Sequence, residues 1–123
     1  MRTPEDVFED HLRLRIEGRL EDDLSRNYAD DVVLLTSNSQ MVGHDAIRTS
    51  ATRLGEQLPE ARFKFLSKRV HGPYAFLVWE GRSSNFNAVS GADSFVIRDG
   101  KIVFQSIHYL LVDDEALAGI KRG

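Results

Sequence analysis

Three polar side chains, Asp93, Ser106 and His108, fall on one face of an otherwise apolar hairpin, and their types suit proton transfer. A carboxylate beside an imidazole fixes the ring tautomer and leaves the second ring nitrogen as a base near neutral pH. An acid held in an apolar wall can instead keep its proton and donate it to a substrate oxygen. A third reading is a buried Asp–His pair that only satisfies itself. Burying such groups without partners costs about 2–7 kcal/mol each, so they call for a hydrogen-bonded pocket or a cavity. A second pair, His11 and Arg15, lies one turn apart near the middle of the apolar arc of the first helix. Taken singly they read as a satisfied core histidine and a snorkelling arginine; taken together they indicate a polar pocket.

The hairpin supplies the geometry. Asp99-Gly100 between apolar, β-branched runs is a two-residue turn signal, because both central residues of such a turn need positive φ. Counting outward from it pairs Phe95 with Phe104, Ser94 with Gln105, Asp93 with Ser106 and Gly91 with His108. Strict alternation then puts Ile97, Ile102, Phe95, Phe104, Val89 and Leu110 on the face of Asp93, Ser106 and His108. The other face, with Val96, Val103, Ile107 and Tyr109 beside Ser94 and Gln105, is too apolar for water and predicts a homodimer.

The elements that must position these residues are legible in order. Thr3-Pro4-Glu5-Asp6 is a helix start, and the helix runs to Ile16 or Glu17 before Gly18. A short second helix covers Leu20 to Asn27 or Tyr28, and Val32 to Thr36 is a strand. A third helix presents Ile47, Ala51, Leu54 and Leu58 and ends before Pro59. Strands follow at Arg62–Val70 and Tyr74–Arg82, and Ser84–Val89 leads into the hairpin. Asp113–Leu117 has the composition of a single helical turn. Helices first and antiparallel strands afterwards predict one α+β domain over residues 1–123, its helices packed on one side of a curved sheet.

Composition narrows the function. The chain has 123 residues, 41% of them hydrophobic and 28% charged, with a net charge of −3 and no cysteine. The acidic balance argues against nucleic acid or an anionic membrane as partner. Without cysteine there is no thiol nucleophile and no thiolate metal site; the four histidines are scattered, so no metal is expected. No phosphate loop, dinucleotide-binding glycine pattern or nucleophile elbow occurs, so no cofactor is expected. The N-terminus lacks an apolar signal core and no run is long enough to span a bilayer; a cytoplasmic protein is expected. Glu21-Asp22-Asp23 reads as a solvated helix start. Trp79, the only tryptophan, reads as core or as the wall of a ligand cavity.

The pieces Tyr28-Ala29-Asp30-Asp31, Val42-Gly43-His44-Asp45-Ala46-Ile47 and Asp99-Gly100-Lys101-Ile102, in this order of elements, resemble the nuclear-transport-factor-2-like superfamily. The SnoaL-like polyketide cyclase branch is the nearest likeness. The resemblance implies a cone-shaped α+β fold with three N-terminal helices against a strongly curved antiparallel sheet and a site inside the cone. It places Asp93 at the oxyanion-hole acid of ketosteroid isomerase and His11 near that enzyme's helix-1 tyrosine. Thr36 stands where the aspartate base would be, and Ile107 where SnoaL-like cyclases carry an aspartate. His108 is then the expected general base, oriented by Asp93, with His11 and Arg15 stabilising negative charge. Trp79, Phe8, Phe95, Phe104 and Ser106 are the expected substrate-binding residues. The favoured function is a cofactor-independent cyclase-, isomerase- or hydrolase-like enzyme acting on a small hydrophobic oxygenated compound. The alternative is a non-catalytic module binding a small carboxylate through Arg15 and His11.

Overall fold

A computed structural model describes residues 2–84 and 86–122 of the chain. Helix α1 (Pro4–Ile16) starts on the expected capping box: Thr3 Oγ1 accepts from the Asp6 N–H at 3.1 Å, and Asp6 Oδ2 accepts from the Thr3 N–H at 3.0 Å. It ends at Glu17, followed by Gly18 at φ +72°. Helix α2 (Leu20–Asn27) runs directly into β1 (Tyr28–Thr36), so this strand starts four residues earlier than the sequence pattern suggests. A turn leads to the short β2 (Gln40–Val42), and α3 (His44–Gln57) crosses to the far edge of the sheet. Strands β3 (Arg62–His71), β4 (Tyr74–Arg82), β5 (Asn87–Arg98) and β6 (Lys101–Val112) follow, and α4 (Asp114–Arg122) extends the single turn expected there.

The six strands lie in the order β2-β1-β6-β5-β4-β3. All neighbours are antiparallel except β1 and β6, so the sheet is mixed, and it does not close into a barrel. Register shifts in β3/β4, β4/β5 and β5/β6 mark bulges, which bend a sheet and sharpen its twist. The concave face receives α1 and α3. Phe8, Leu12, Leu34, Ile47, Phe95, Ile97 and Ile102 form the centre of the core there. Among the described residues, no helix is long and apolar enough to cross a membrane.

The Asp99-Gly100 turn forms as expected, with φ of +52° and +76°. The register beyond it does not. Ile97 pairs with Ile102, but Val96 pairs with Phe104, leaving Val103 as an extra residue on β6. From there Phe95 faces Gln105, Ser94 faces Ser106, Asp93 faces Ile107 and Ala92 faces His108. A one-residue slip exchanges the two faces of a strand. Phe104, Ser106 and His108 therefore lie on the convex side, and Gln105, Ile107 and Tyr109 replace them inside. The predicted dimer face changes in the same way: it keeps Ser94 and Val96, loses Gln105, Ile107 and Tyr109, and gains Phe104, Ser106, His108 and Leu110.

Of the glycines in the sheet, Gly91 is the most tightly packed. A Cβ built on it would lie 2.4 Å from Trp79 Cδ2 and 2.7 Å from the Trp79 carbonyl oxygen, so the indole lies directly over this glycine. Gly91→Ala should lower stability by about 1–3 kcal/mol in denaturant unfolding, the cost of overpacking a fixed contact. Trp79 emission should shift to the red as the ring is displaced. Wild-type stability with unchanged emission would contradict this packing.

Candidate functional site

A cavity of about 100 Å³ lies between α1, α3 and the concave face of the sheet. Its floor is polar and buried: His11, Tyr28, Trp79, Asp93 and Gln105 are each at most 7% exposed. Its walls are apolar, among them Leu12, Leu54, Phe63, Leu77 and Ile107. Its mouth carries Arg15 and Ile16 from α1 and Ser50 from α3. At about 100 Å³ it is smaller than the roughly 150 Å³ apolar cavity that accepts benzene, which limits an enclosed ligand to one small ring at most, with any tail at the mouth.

Two hydrogen-bonded clusters form the floor. In the first, Asp93 Oδ1 accepts from the Trp79 indole N–H at 2.9 Å and Oδ2 from the Gln105 amide at 3.2 Å. Tyr28 donates its hydroxyl to Gln105 Oε1, which turns the amide so that its NH₂ meets Asp93. Burial pushes the Asp93 carboxyl up to about 6, against the Trp79 and Gln105 donors and the nearby His11 and Arg15. Burial also pushes the Tyr28 phenol well above its usual value, with the Asp23 carboxylate adding to the effect. Both Asp93 oxygens thus accept N–H groups yet keep a lone pair each.

In the second cluster His11 Nδ1 meets Asp23 Oδ2 at 2.7 Å. Asp23 is fully buried, and its Oδ1 accepts from Asn27 Nδ2 at 2.9 Å. Asn27 is fully buried too; the same amide nitrogen donates to Asp10 Oδ2 at 2.9 Å, and its Oδ1 accepts from Arg2 Nη1 at 2.7 Å. With both its neighbours on that side being carboxylates, the Asn27 amide has one possible orientation. Asp23, an acceptor, sets the His11 tautomer with the proton on Nδ1. His11 Nε2 makes no hydrogen bond among the described residues, and no buried side-chain nitrogen or oxygen among them lacks a partner. Nε2 therefore keeps contact with the cavity that His11 lines. The ring is held edge-on by Phe95 and Tyr28, with centroids 5.3 and 5.6 Å away.

Of the expected site residues, the structure brings together Asp93, His11, Arg15 and Trp79. Phe8 and Phe95 do not line the cavity; they stack edge to face at 5.3 Å behind it. Phe104, Ser106 and His108 are on the other side of the sheet because of the extra residue at Val103. There the Ser106 hydroxyl accepts from the Ser94 N–H at 3.3 Å, and exposed His108 bonds Ser37 Oγ through Nδ1 at 3.0 Å. An Asp93–His108 pair does not exist. Polar residues not foreseen include Asp23, Asn27, Tyr28, Gln105, Ser50 and Tyr109. A signal for the first two was present: Leu20, Asp23, Leu24 and Asn27 follow the 3, 4, 7 spacing of a buried helix face. Thr36 is outside the cavity, bonded to Ser39 Oγ at 2.7 Å, whereas Ile107 does line it.

Residues 8–105 match the SnoaL-like domain family. No curated protein sequence matches the chain. Among solved structures, an NTF2-like protein from Burkholderia thailandensis superposes with a TM-score of 0.73 at 20% identity, covering 100% of this chain and 99% of that one. A candidate ketosteroid isomerase from Kribbella flavida has a TM-score of 0.69 at 13% identity, covering 85% and 75%. A de novo designed protein with a curved β-sheet reaches 0.67 at 19% identity, covering 97% and 92%. At such identities these likenesses concern the fold alone.

The raised Asp93 value fixes the sign of a pH effect. A carboxyl that holds its proton more tightly when folded stabilises the native state fully below about pH 4; that contribution is lost as pH rises through about 6. In urea unfolding, Asp93→Asn should therefore gain stability relative to wild type between pH 4 and 7. The relative gain should be on the order of 3 kcal/mol, at about 1.4 kcal/mol for each pH unit separating the folded and unfolded values. Any constant offset from the amide's own contacts leaves this slope untouched. A difference that stays flat across that range would contradict the burial of an ionisable Asp93.

Proposed function

The chain belongs to the SnoaL-like domain family, and on that premise we propose that it is a cofactor-independent enzyme of acid–base type acting on a small oxygenated compound. The observation that carries this reading is His11, whose Nδ1 is tied to a fully buried carboxylate while its Nε2 is left to the cavity. Such a ring can take a proton from a bound molecule, since the positive charge formed sits against Asp23. Asp93, which burial pushes up to about 6, is the second proton-exchanging group and can hydrogen-bond a substrate oxygen when protonated. Arg15 stabilises negative charge from the mouth. Proton removal next to a carbonyl, giving an enolate that is reprotonated elsewhere, is the reaction this arrangement suits best. His108, the base expected from the sequence, has no part in it.

A test matched to the cavity size is conversion of 3-cyclohexenone into its conjugated isomer, followed by ultraviolet absorbance. Base removes a proton from C2, the electrons pass into a dienolate, and C4 takes the proton back. Wild type should accelerate this over buffer. His11→Gln should reduce turnover by about 10²–10⁴-fold with little change in KM, the usual range for loss of a general base. Equal rates in wild type and His11→Gln would remove His11 from the chemistry. Background rates throughout would favour the second reading, a non-catalytic module for a small carboxylate. That reading is supported by Arg15, which has no ion pair or hydrogen bond among the described residues.

We also propose that the convex sheet face is covered by a second copy of the chain. Tyr74 and Phe76 on β4, Val96 on β5, Phe104 on β6, and Val33 and Leu35 on β1 form an apolar band across four adjacent strands. Phe76 is 41% exposed and Tyr74 56%, values more typical of an interface than of a solvated sheet. Sedimentation should show a dimer at micromolar concentration, and Phe76→Glu should shift it to monomer. A wild-type monomer at that concentration would end the proposal.

A further inference from the structure

The polar groups of the cavity are sorted by depth. The most deeply buried of them, His11, Asp93, Tyr28 and Gln105, form the floor, while Tyr109 and Ser50 are half-buried. The floor also contains the one carboxylate that faces the cavity, Asp93, with Asp23 directly behind His11. Among the described residues, the arginine or lysine that lines the cavity is Arg15, which is half-buried at the mouth. Ser50 also lines the cavity, from α3, and its hydroxyl, like the Arg15 guanidinium, makes no hydrogen bond among the described residues. The other arginines on α1, on α2 and between them are committed. Arg13 binds Asp10 and Glu17, Arg19 binds Asp22 and Glu17, and Arg26 binds Asp10. An unpaired guanidinium beside an apolar cavity is a planar, forked donor set without an acceptor.

We propose that Arg15, assisted by Ser50, is a carboxylate clamp that selects a small monocyclic monocarboxylate as the ligand of this cavity, bound with its ring inward and its carboxylate at the mouth. The inference rests on the acid–base reading above and gives it a substrate class. It also makes the anion site a specificity element of the catalytic cavity rather than an alternative to catalysis. The orientation follows from charge. A carboxylate on the floor would face Asp93, a like charge in a poorly solvated site, whereas at the mouth it meets Arg15. Size agrees, since the buried space holds one ring and the opening takes the charged tail. Walls such as Phe63, Phe65, Leu54 and Ile107 supply the contact a ring needs and offer no polar partner to a longer hydrophilic chain. The substrate would then carry its reacting carbon or oxygen on the ring, away from the carboxylate, within reach of His11 and Asp93.

Trp79, the single tryptophan of the chain, lines the cavity and reports on its filling. The experiment titrates the full chain with benzoate and, separately, with benzamide at pH 7.5, following Trp79 emission. Benzoate should give a saturable change at concentrations about 10–100-fold lower than benzamide, the preference of a charge-assisted pair over a neutral one. Arg15→Gln should abolish the preference by weakening benzoate alone, and Arg15→Lys should restore part of it. Circular dichroism of each variant confirms that it is folded. Arg15→Lys, which keeps the charge and much of the aliphatic stem, offers a second route should Arg15→Gln misfold. Equal affinity for the two probes, a benzoate preference that survives Arg15→Gln, or no saturable change with either probe would each overturn the clamp. His11→Gln separates the two proposals. A retained benzoate preference in that variant, alongside unchanged 3-cyclohexenone turnover, would sink the acid–base reading and leave the clamp standing. Lost turnover without any benzoate preference would do the reverse.

Discussion

A carboxylate removed from water must find hydrogen-bond donors or give up its charge, and this chain removes two. Asp23 is fully buried and Asp93 nearly so. Their partners come largely from neighbouring elements. Asp23, itself on α2, ties that helix to α1 through His11, with Asn27 one turn further along α2 as its second donor; Asp93 on β5 joins β4, through Trp79, to β6, through Gln105 and on to Tyr28 at the start of β1. Every described element around the cavity except α3 and β3 is thus tied to one of two acids. An apolar core alone would hold these elements together with less directional demand. The acids add a requirement for a particular register and a particular helix rotation, because a donor displaced by one residue leaves a charge unpaired. The polar floor of the cavity is the by-product of meeting that requirement.

The sheet meets it through an irregularity. With regular pairing from the Asp99-Gly100 turn, Gln105 would face outward and Asp93 would sit opposite Ser106. The extra residue at Val103 reverses that parity and delivers Gln105 to Asp93. This is why the fold was legible in the sequence and half of the site was not. Capping residues at Thr3 and Asp6, the Asp-Gly turn, helical spacing in α3 and the change to alternating strands are local signals, and each formed nearly where local chemistry placed it. A bulge has no such signal: Val103 is as good a strand residue in either register, and only the distant partners of Asp93 and Phe95 decide between them. Asp23 failed to stand out for another reason. Its flanking acids, Glu21 and Asp22, are exposed, so the run reads as a solvated face unless Leu20, Leu24 and Asn27 are counted with it. His11, Arg15, Asp93 and Trp79 could be found because each is out of place, a polar group or a lone indole on an apolar surface.

The same backbone arrangement occurs in a designed protein and in natural ones with different labels, so the curved sheet with its helices is a container rather than a chemistry. What belongs to this chain is a handful of side chains directed into about 100 Å³. The small volume also follows from sequence. Trp79, Phe63 and Tyr109 crowd the interior, with Trp79 5.7 Å from Phe63 and 5.5 Å from Tyr109 between ring centroids. Tyr109 is further anchored by its hydroxyl to Gln57 on α3. Replacing Phe63 or Tyr109 would enlarge the space without removing a partner of either acid, whereas Trp79 also holds Asp93 Oδ1; ligand size and proton chemistry are separable at the first two positions only.

The two proton-exchanging groups of the floor respond to a bound anion in different ways. His11 faces its carboxylate, Asp23, on the side away from the cavity, so the partner of its charge stays fixed whatever fills the cavity. Asp93 depends on the cavity itself. Burial raises it, and Arg15 is among the charges that hold it down. An anion paired with Arg15 cancels that help and brings a like charge nearer, and both changes favour the protonated acid. Filling the mouth with a carboxylate would thus convert Asp93 from a hydrogen-bond acceptor into a donor while leaving His11 as a base. An empty cavity holds two acceptors; an occupied one would hold an acid and a base facing the same ring, which is the pairing that moving a proton from one ring atom to another requires.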